Sequence, residues 1–397
     1  VVNPIPDVII TPALTTICSG TLTNISLSSS VPGTTFSWIV SEQSNATGAT
    51  SGSGSSIAQL LTATAATNSY VDYLITPSAN GCLGIPQSIR ITITPLPRVT
   101  ATPISESFCS GGTTNIQLTS NVPGAVFSWT ITGGNVVGAS GGTGGAGTII
   151  NQLLTVSPGT TSTVSVTYSI VAEANGCVGP ATEVVVNVTP TPDVTVASGP
   201  SPICSGSTTD ISFTGTVPGT EFSWVVTNPI GITGASNGTG TSIQQVLTTT
   251  GLSQGGVTYV ITPMFNGCPG LSESVTVLVN PRPEVFADPT HPPLCSGGAT
   301  NIPLSTFNSS TIFNWVVDPH GVDGAISGSE PGPSYTIIQN LTTTVANVAG
   351  YVDYVITPVL DGCSGDSFTV RVVVNPLPEP TLTDGSICVD EFGVPFQ

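Results

Sequence analysis

Apolar residues recur at every second position along this chain, in short runs. Ile25 and Leu27 form one such run, and Phe36, Trp38 and Val40 another. Val71, Tyr73 and Ile75 follow, then Ile89, Ile91 and Ile93. The pattern returns further on, for instance at Phe222, Trp224 and Val226 and at Val275, Val277 and Val279. A period of two, bounded by Gly, Pro and Asn, predicts strands with one buried face. The abundance of Thr, Val and Ile suits a pleated surface. No stretch carries the 3.6-residue period of an amphipathic helix. The runs predict six to eight strands in each stretch of roughly 90 residues, as in an immunoglobulin-like β-sandwich. The fold class is therefore all-β.

The runs are copies of one unit. "VPGTTFSWIV" (31–40) is rewritten as "VPGAVFSWTI" (122–131), "VPGTEFSWVV" (217–226) and, more loosely, "STIFNWVV" (310–317). Trp38, Trp129, Trp224 and Trp315 each stand 20 residues after a cysteine, namely Cys18, Cys109, Cys204 and Cys295. A second cysteine (Cys82, Cys177, Cys268 or Cys363) follows a tyrosine by nine residues each time. Fixed spacing in four copies means four structural repeats. Pro-x-Pro seams divide them, with first prolines at 4, 95, 190, 281 and 376, so that steps of 91 and 95 residues alternate. The predicted organisation is a linker at 1–8 from a preceding repeat, Ig-like repeats at 9–95, 98–190, 193–281 and 284–376, and the start of a fifth at 379–397, which holds Cys388. On this reading the chain is a window from a longer array, and its short Pro-stiffened seams favour an extended rod.

The alternation puts each Trp on the inward face with a Phe two residues before it, and so predicts a core tryptophan in every sandwich. The competing reading is an exposed indole that stacks on a sugar ring. The cysteines number one pair per repeat. The count predicts intradomain bridges Cys18–Cys82, Cys109–Cys177, Cys204–Cys268 and Cys295–Cys363, each stabilising its repeat by about 4 kcal/mol. The placement is imperfect: the first cysteine precedes the second strand and the second lies near the last hairpin, positions that tend to sit at opposite ends of a sandwich. Either way, paired cysteines imply an oxidising, extracellular compartment.

Composition narrows the function. The formal net charge is −18, from 22 acidic residues against four arginines and no lysine. Nucleic acid and anionic membrane surfaces, which need basic patches, are excluded as partners. No apolar run approaches the ~20 residues of a membrane-spanning helix, so no membrane insertion is expected. The G-x-G-x-x-G of Gly142, Gly144 and Gly147 aligns with loop sequences of the other repeats and lacks the βαβ context of a dinucleotide site. The two histidines, His291 and His320, belong to the fourth repeat alone, and no carboxylate pair recurs, so no enzyme and no catalytic residue is predicted. Asp7, Asp193, Glu284 and Glu379 each follow a seam, while Arg98 takes that place at the second. One acid per seam raises calcium at the junctions as a candidate cofactor, against a plain solvated charge. The sequons at Asn24 and Asn237 are of the number expected by chance in a Ser/Thr-rich chain.

The array C-S-G … F-S-W … Y-x-I-T-P … N-G-C-x-G … V-x-V-x-P-x-P resembles the PKD-like and Ig-like repeats of giant cell-surface proteins of Bacteroidota, of the SprB-type gliding-motility adhesins exported by the type IX system. The W-D-F-G-D-G of PKD domains is replaced here by "FSWIV" or "FSWVV". The resemblance implies a cell-surface stalk or filament and carries over no site residues. The partners it implies are further repeats of the same chain and the cell-surface or secretion machinery. Two other readings stand beside it: a glycan-binding array acting by avidity on extracellular polysaccharide, and a self-assembling fibre in which copies pack laterally.

Overall fold

The computed structural model describes residues 3–12 and 14–379. Of the expected start of a fifth repeat at 379–397, residues 380–397 with Cys388 lie outside the described residues. Among the described residues all regular structure is β. Two compact units divide the chain. One comprises 1–192 with the segments 216–219 and 264–269, and the other the rest.

The first repeat shows the plan. Its strands are β1 (Ile9–Pro12), β2 (Thr16–Cys18), β3 (Thr21–Leu22), β4 (Ile25–Ser28), β5 (Thr35–Ser44), β6 (Ala46–Thr47), β7 (Gly52–Ser53), β8 (Ser56–Ile57), β9 (Leu60–Ala63), β10 (Ser69–Ala79), β11 (Cys82–Leu83) and β12 (Gln87–Thr94). The main sheet has the order β2-β12-β10-β5-β7, with β11 turned back onto β10. All its neighbours are antiparallel except β2, which runs parallel to β12. The facing layer is two small sheets, β1-β4-β8 and β3-β9-β6.

Two of the strands beyond the six to eight expected arise because the facing layer bends at one place. There the ladder passes through a side chain: the Thr23 hydroxyl donates to the Ile57 carbonyl and accepts the Gln59 N–H, both at 2.9 Å. β3 and β4 are thus one strand broken at Thr23, and β8 and β9 one strand broken near Gln59. Thr114, Thr209 and Thr300 do the same in the later repeats.

Each repeat closes its own core between consecutive seams. In the first, Ile25, Ile57 and Leu61 from the facing layer meet Val71, Tyr73, Ile75 and Ile93 from the main sheet. Equivalent clusters run from Val99 to Val188, from Val194 to Val279 and from Ile302 to Val374. The inward positions of β10 are buried at every second residue, as the sequence alternation requires. The fourth repeat departs in one respect: only an isolated bridge, Phe286 to Ser305, stands where the first repeat pairs β1 with β4.

Candidate functional site at the seams

The four tryptophans are held alike. Trp38, Trp224 and Trp315 are 6–7% exposed, while Trp129 is half-buried and packs on the margin of its core. Each indole N–H donates to a backbone carbonyl, of Thr50, Ser140, Ser236 or Ile326, at 2.9–3.1 Å. A glycine on the adjoining strand lies flat on each ring. A β-carbon at Gly52 would come within 2.8 Å of Trp38 Cζ2, and Gly142, Gly238 and Gly328 sit tighter still on their tryptophans. The glycine-rich loop therefore makes room for an indole. Gly142 pairs with Trp129 across the ladder, which accounts for the first glycine of the G-x-G-x-x-G without a nucleotide.

A second interior device was not singled out from the sequence. The hydroxyls of Tyr73, Tyr168, Tyr259 and Tyr354 donate to the side-chain carbonyls of Gln59, Gln152, Gln245 and Gln339 at 2.7–2.9 Å. In the first repeat the same glutamine accepts the Thr50 N–H and donates to the Thr50 carbonyl, tying down the loop that carries the glycine. Burial pushes each of the four phenols up to about 12. The recurring signal was a glutamine 14 to 16 residues before each tyrosine.

The cysteines correct the sequence expectation. None of the pairs Cys18–Cys82, Cys109–Cys177, Cys204–Cys268 and Cys295–Cys363 forms. The bridges are Cys18–Cys177, Cys109–Cys268 and Cys204–Cys363, with Cα separations of 5.5–5.7 Å and a sequence separation of 159 in every one. Cys82 and Cys295 are free thiols. The reason is the position of each cysteine along the sandwich. Cys18 ends β2, whose parallel register sets it beside Thr94, the residue before the seam proline. The Ser19 N–H donates to the Thr94 carbonyl at 2.8 Å, and Ser110, Ser205 and Ser296 repeat that bond to Thr189, Asn280 and Asn375. The first cysteine thus sits at the outgoing seam.

The second cysteine sits at the incoming one. Asn80 and Gly81, both at positive φ, make the tight turn that folds β11 back on β10. Two residues past Cys82, Gly84 rests on the carbonyl of Pro6 so closely that a β-carbon would collide with it. Gly179 and Gly365 rest on Pro97 and Pro283 in the same way. The two cysteines of one repeat are therefore at opposite ends, and the neighbour that each can reach belongs to the adjoining repeat.

Hydrogen bonds reinforce the seam that begins at Asn280. Its side-chain amide donates to the Asp361 carbonyl at 3.3 Å. Arg282 donates from Nε to the Ser205 carbonyl at 2.8 Å and from Nη1 to the Ser364 carbonyl at 3.4 Å, so one guanidinium ties both sides of the Cys204–Cys363 bridge.

The other candidate residues are put to local use. Asp7 accepts from Ser29 Oγ, Ser30 N–H and Ser30 Oγ at 2.6–2.9 Å, and these bonds lower its carboxyl to about 2. Glu379 accepts from the Asn347 amide at 3.3 Å. Among the described residues no three His, Cys, Asp or Glu side chains lie together in a group that could hold a metal ion. His291 caps its own loop through the Pro292 carbonyl and the Asn301 N–H, whereas His320 stacks on Tyr351 with ring centres 4.4 Å apart. Asn24 is exposed, and Asn237 accepts the Val226 N–H.

A family model agrees with this architecture. The model of the PKD-like domain matches four times, at residues 15–97, 106–192, 201–283 and 293–378. No curated protein sequence matches. Among solved structures, the extracellular domain of protocadherin GammaB4 aligns over 94% of this chain and 68% of its own, at 10% identity and a TM-score of 0.28. Immunoglobulin domains 1–4 of Sidekick-1 align over 95% and 97%, at 11% identity and a TM-score of 0.25.

Proposed function

This chain belongs to the PKD-like domain family, and from that premise we propose that it is a tension-carrying segment of a large secreted cell-surface protein, non-enzymatic, of the adhesin or gliding-filament kind that its motif array resembles. The interleaved cystines carry this reading. Each bridge opens before the previous one closes, so the covalent path from Cys18 to Cys363 need not follow the chain. It crosses to Cys177, follows 27 residues to Cys204 and crosses again to Cys363. Pulled straight, those 27 residues span about 95 Å, against about 1,200 Å for the 345 residues of the linear route, at ~3.5 Å per residue. Tension applied at the ends bypasses most of every sandwich.

Such a connection suits a stalk, which must transmit force without lengthening. An avidity array gains nothing from a limit on extension. The tryptophans that a glycan array would present are in or at the cores. Disulfides and domains of this family are typical of extracellular proteins, and no helix among the described residues is long and apolar enough to cross a membrane.

Single-molecule force spectroscopy tests the reading. Oxidised protein should release on the order of a tenth of the contour length that it releases after reduction. Repeat-sized unfolding steps of about 300 Å in the oxidised protein would refute it.

A further inference from the structure

We infer that Cys82 and Cys295 are the two complementary halves of one further staple, each completed by the opposite half from another PKD-like repeat. The inference goes beyond the mechanical reading and does not depend on it.

Three bonds define the two halves. One half is a cysteine at the end of a short strand parallel to the last strand, beside the residue before an outgoing seam. The other is a cysteine in the tight hairpin that rests on an incoming seam. Cys295 is the first kind: it registers with Asn375, and the Ser296 N–H donates to the Asn375 carbonyl at 2.8 Å, as at the three bonded sites. Cys82 is the second kind, in register with Ala79 as Cys177 is with Ala174. Its incoming seam is already seated: Gly84 rests on Pro6, and the Asn3 amide reaches the Asn80 carbonyl at 3.5 Å, as Asn280 reaches Asp361 beside a closed bridge. In the bonded repeats the first-kind cysteine registers with Thr94, Thr189 or Asn280, the position that Asn3 holds here.

Both thiols also lack the cover that their counterparts have. Cys177, Cys268 and Cys363 are buried at 2–4% exposure, whereas Cys82 is half-exposed. Cys18, Cys109 and Cys204 are half-buried, whereas Cys295 is exposed. Like halves do not satisfy each other. Two hairpins of the Cys82 kind bring no parallel strand, and two strands of the Cys295 kind bring no hairpin.

For the 397-residue chain by itself the partner is a second copy, joined head to tail. Cys295 of one copy and Cys82 of the next each give up a proton and an electron as the S–S bond forms. The acceptor is a low-molecular-weight disulfide, which is reduced to two thiols. A heterologous contact of this kind leaves one half unused on each terminal copy, so copies add head to tail.

The test uses the full chain with Cys388→Ser throughout, refolded in a buffer of reduced and oxidised glutathione. Cys82→Ser and Cys295→Ser are prepared separately, and non-reducing peptide mapping first confirms the three internal bridges in each. The parent should give a ladder on non-reducing gels that collapses on reduction. Each variant alone should stay monomeric. Mixed, they should give a dimer that grows no further and yields a single new cross-linked peptide, Cys295 to Cys82. Homodimers of either variant as abundant as the mixed dimer would overturn the inference. So would a mixture that remains monomeric while its internal bridges are intact.

Discussion

Within the first repeat, Trp38, Tyr73 and Gln59 hold the two layers together with no covalent cross-link. At its outgoing seam, Cys18 is bonded to Cys177 of the next repeat. The interior depends on apolar burial and a few buried hydrogen bonds, whereas the seam depends on a covalent bond and a redox potential. The division separates two kinds of failure. A repeat unfolds when its core is damaged, whereas reduction removes the covalent link between repeats and leaves each core in place.

The largest effect that sharpens this contrast is Trp224→Ala. The indole is buried and its N–H bonds Ser236, so truncation should cost the third repeat about 3–5 kcal/mol, read from denaturant unfolding. The loss should be the same with and without reductant. A loss that depends on reductant would break the separation between interior and seam. Trp129→Ala should cost less, because Trp129 already lies half-open.

Next in size is Gln245→Ala, which orphans the Tyr259 hydroxyl and the Ser236 N–H and should cost about 1–3 kcal/mol. Adding Tyr259→Phe removes the orphaned hydroxyl. The double variant should therefore be less destabilised than the sum of the two single changes, as a double-mutant cycle will show.

The smallest effects are pH-dependent. Burial raises the four core phenols to about 12 from an ordinary value of 10.0. Their neutral form is favoured by folding, so this contribution is complete below pH 10 and is lost between 10 and 12. Asp7 acts in the opposite direction. Its carboxyl is lowered from 3.8 to about 2, so its contribution is present above that ordinary value and fades as the pH falls toward 2. Unfolding measured across both ranges with the free thiols blocked should show an alkaline loss that is unchanged in Asp7→Ala and an acid loss that is reduced in it, the remainder belonging to Asp72, Asp288 and Asp353, whose carboxyls are lowered as well.

The sandwich was legible because the period of two is imposed by the pleat itself. Val71, Tyr73 and Ile75 declare one face of one strand without reference to anything distant. The tryptophan strands were legible for the same reason. The pairing of the cysteines was not, because one pair per repeat is the same count whether bridges close within repeats or between them. The decision rests on which end of a sandwich each cysteine occupies, and that follows from the parallel register of Cys18 with Thr94 and from the seat of Gly84 on Pro6. Neither contact leaves a local pattern. The cross-seam spacing is always 159, but the alternation of 91 and 95 would produce that by itself. The glutamines were visible as a recurrence, yet a glutamine beside the glycine-rich loop reads as surface until the tyrosine hydroxyl is found on it.

The interleaving also bears on cleavage. Every peptide bond between Cys18 and Cys363 lies inside at least one bridged loop, and those between 109 and 177 or between 204 and 268 lie inside two. A protease that cuts once anywhere in that span leaves two fragments still joined by a disulfide. A nicked strand of this design keeps its continuity, and parting its two ends takes three cuts, for example one each in 18–109, 109–177 and 177–204, or a reductant.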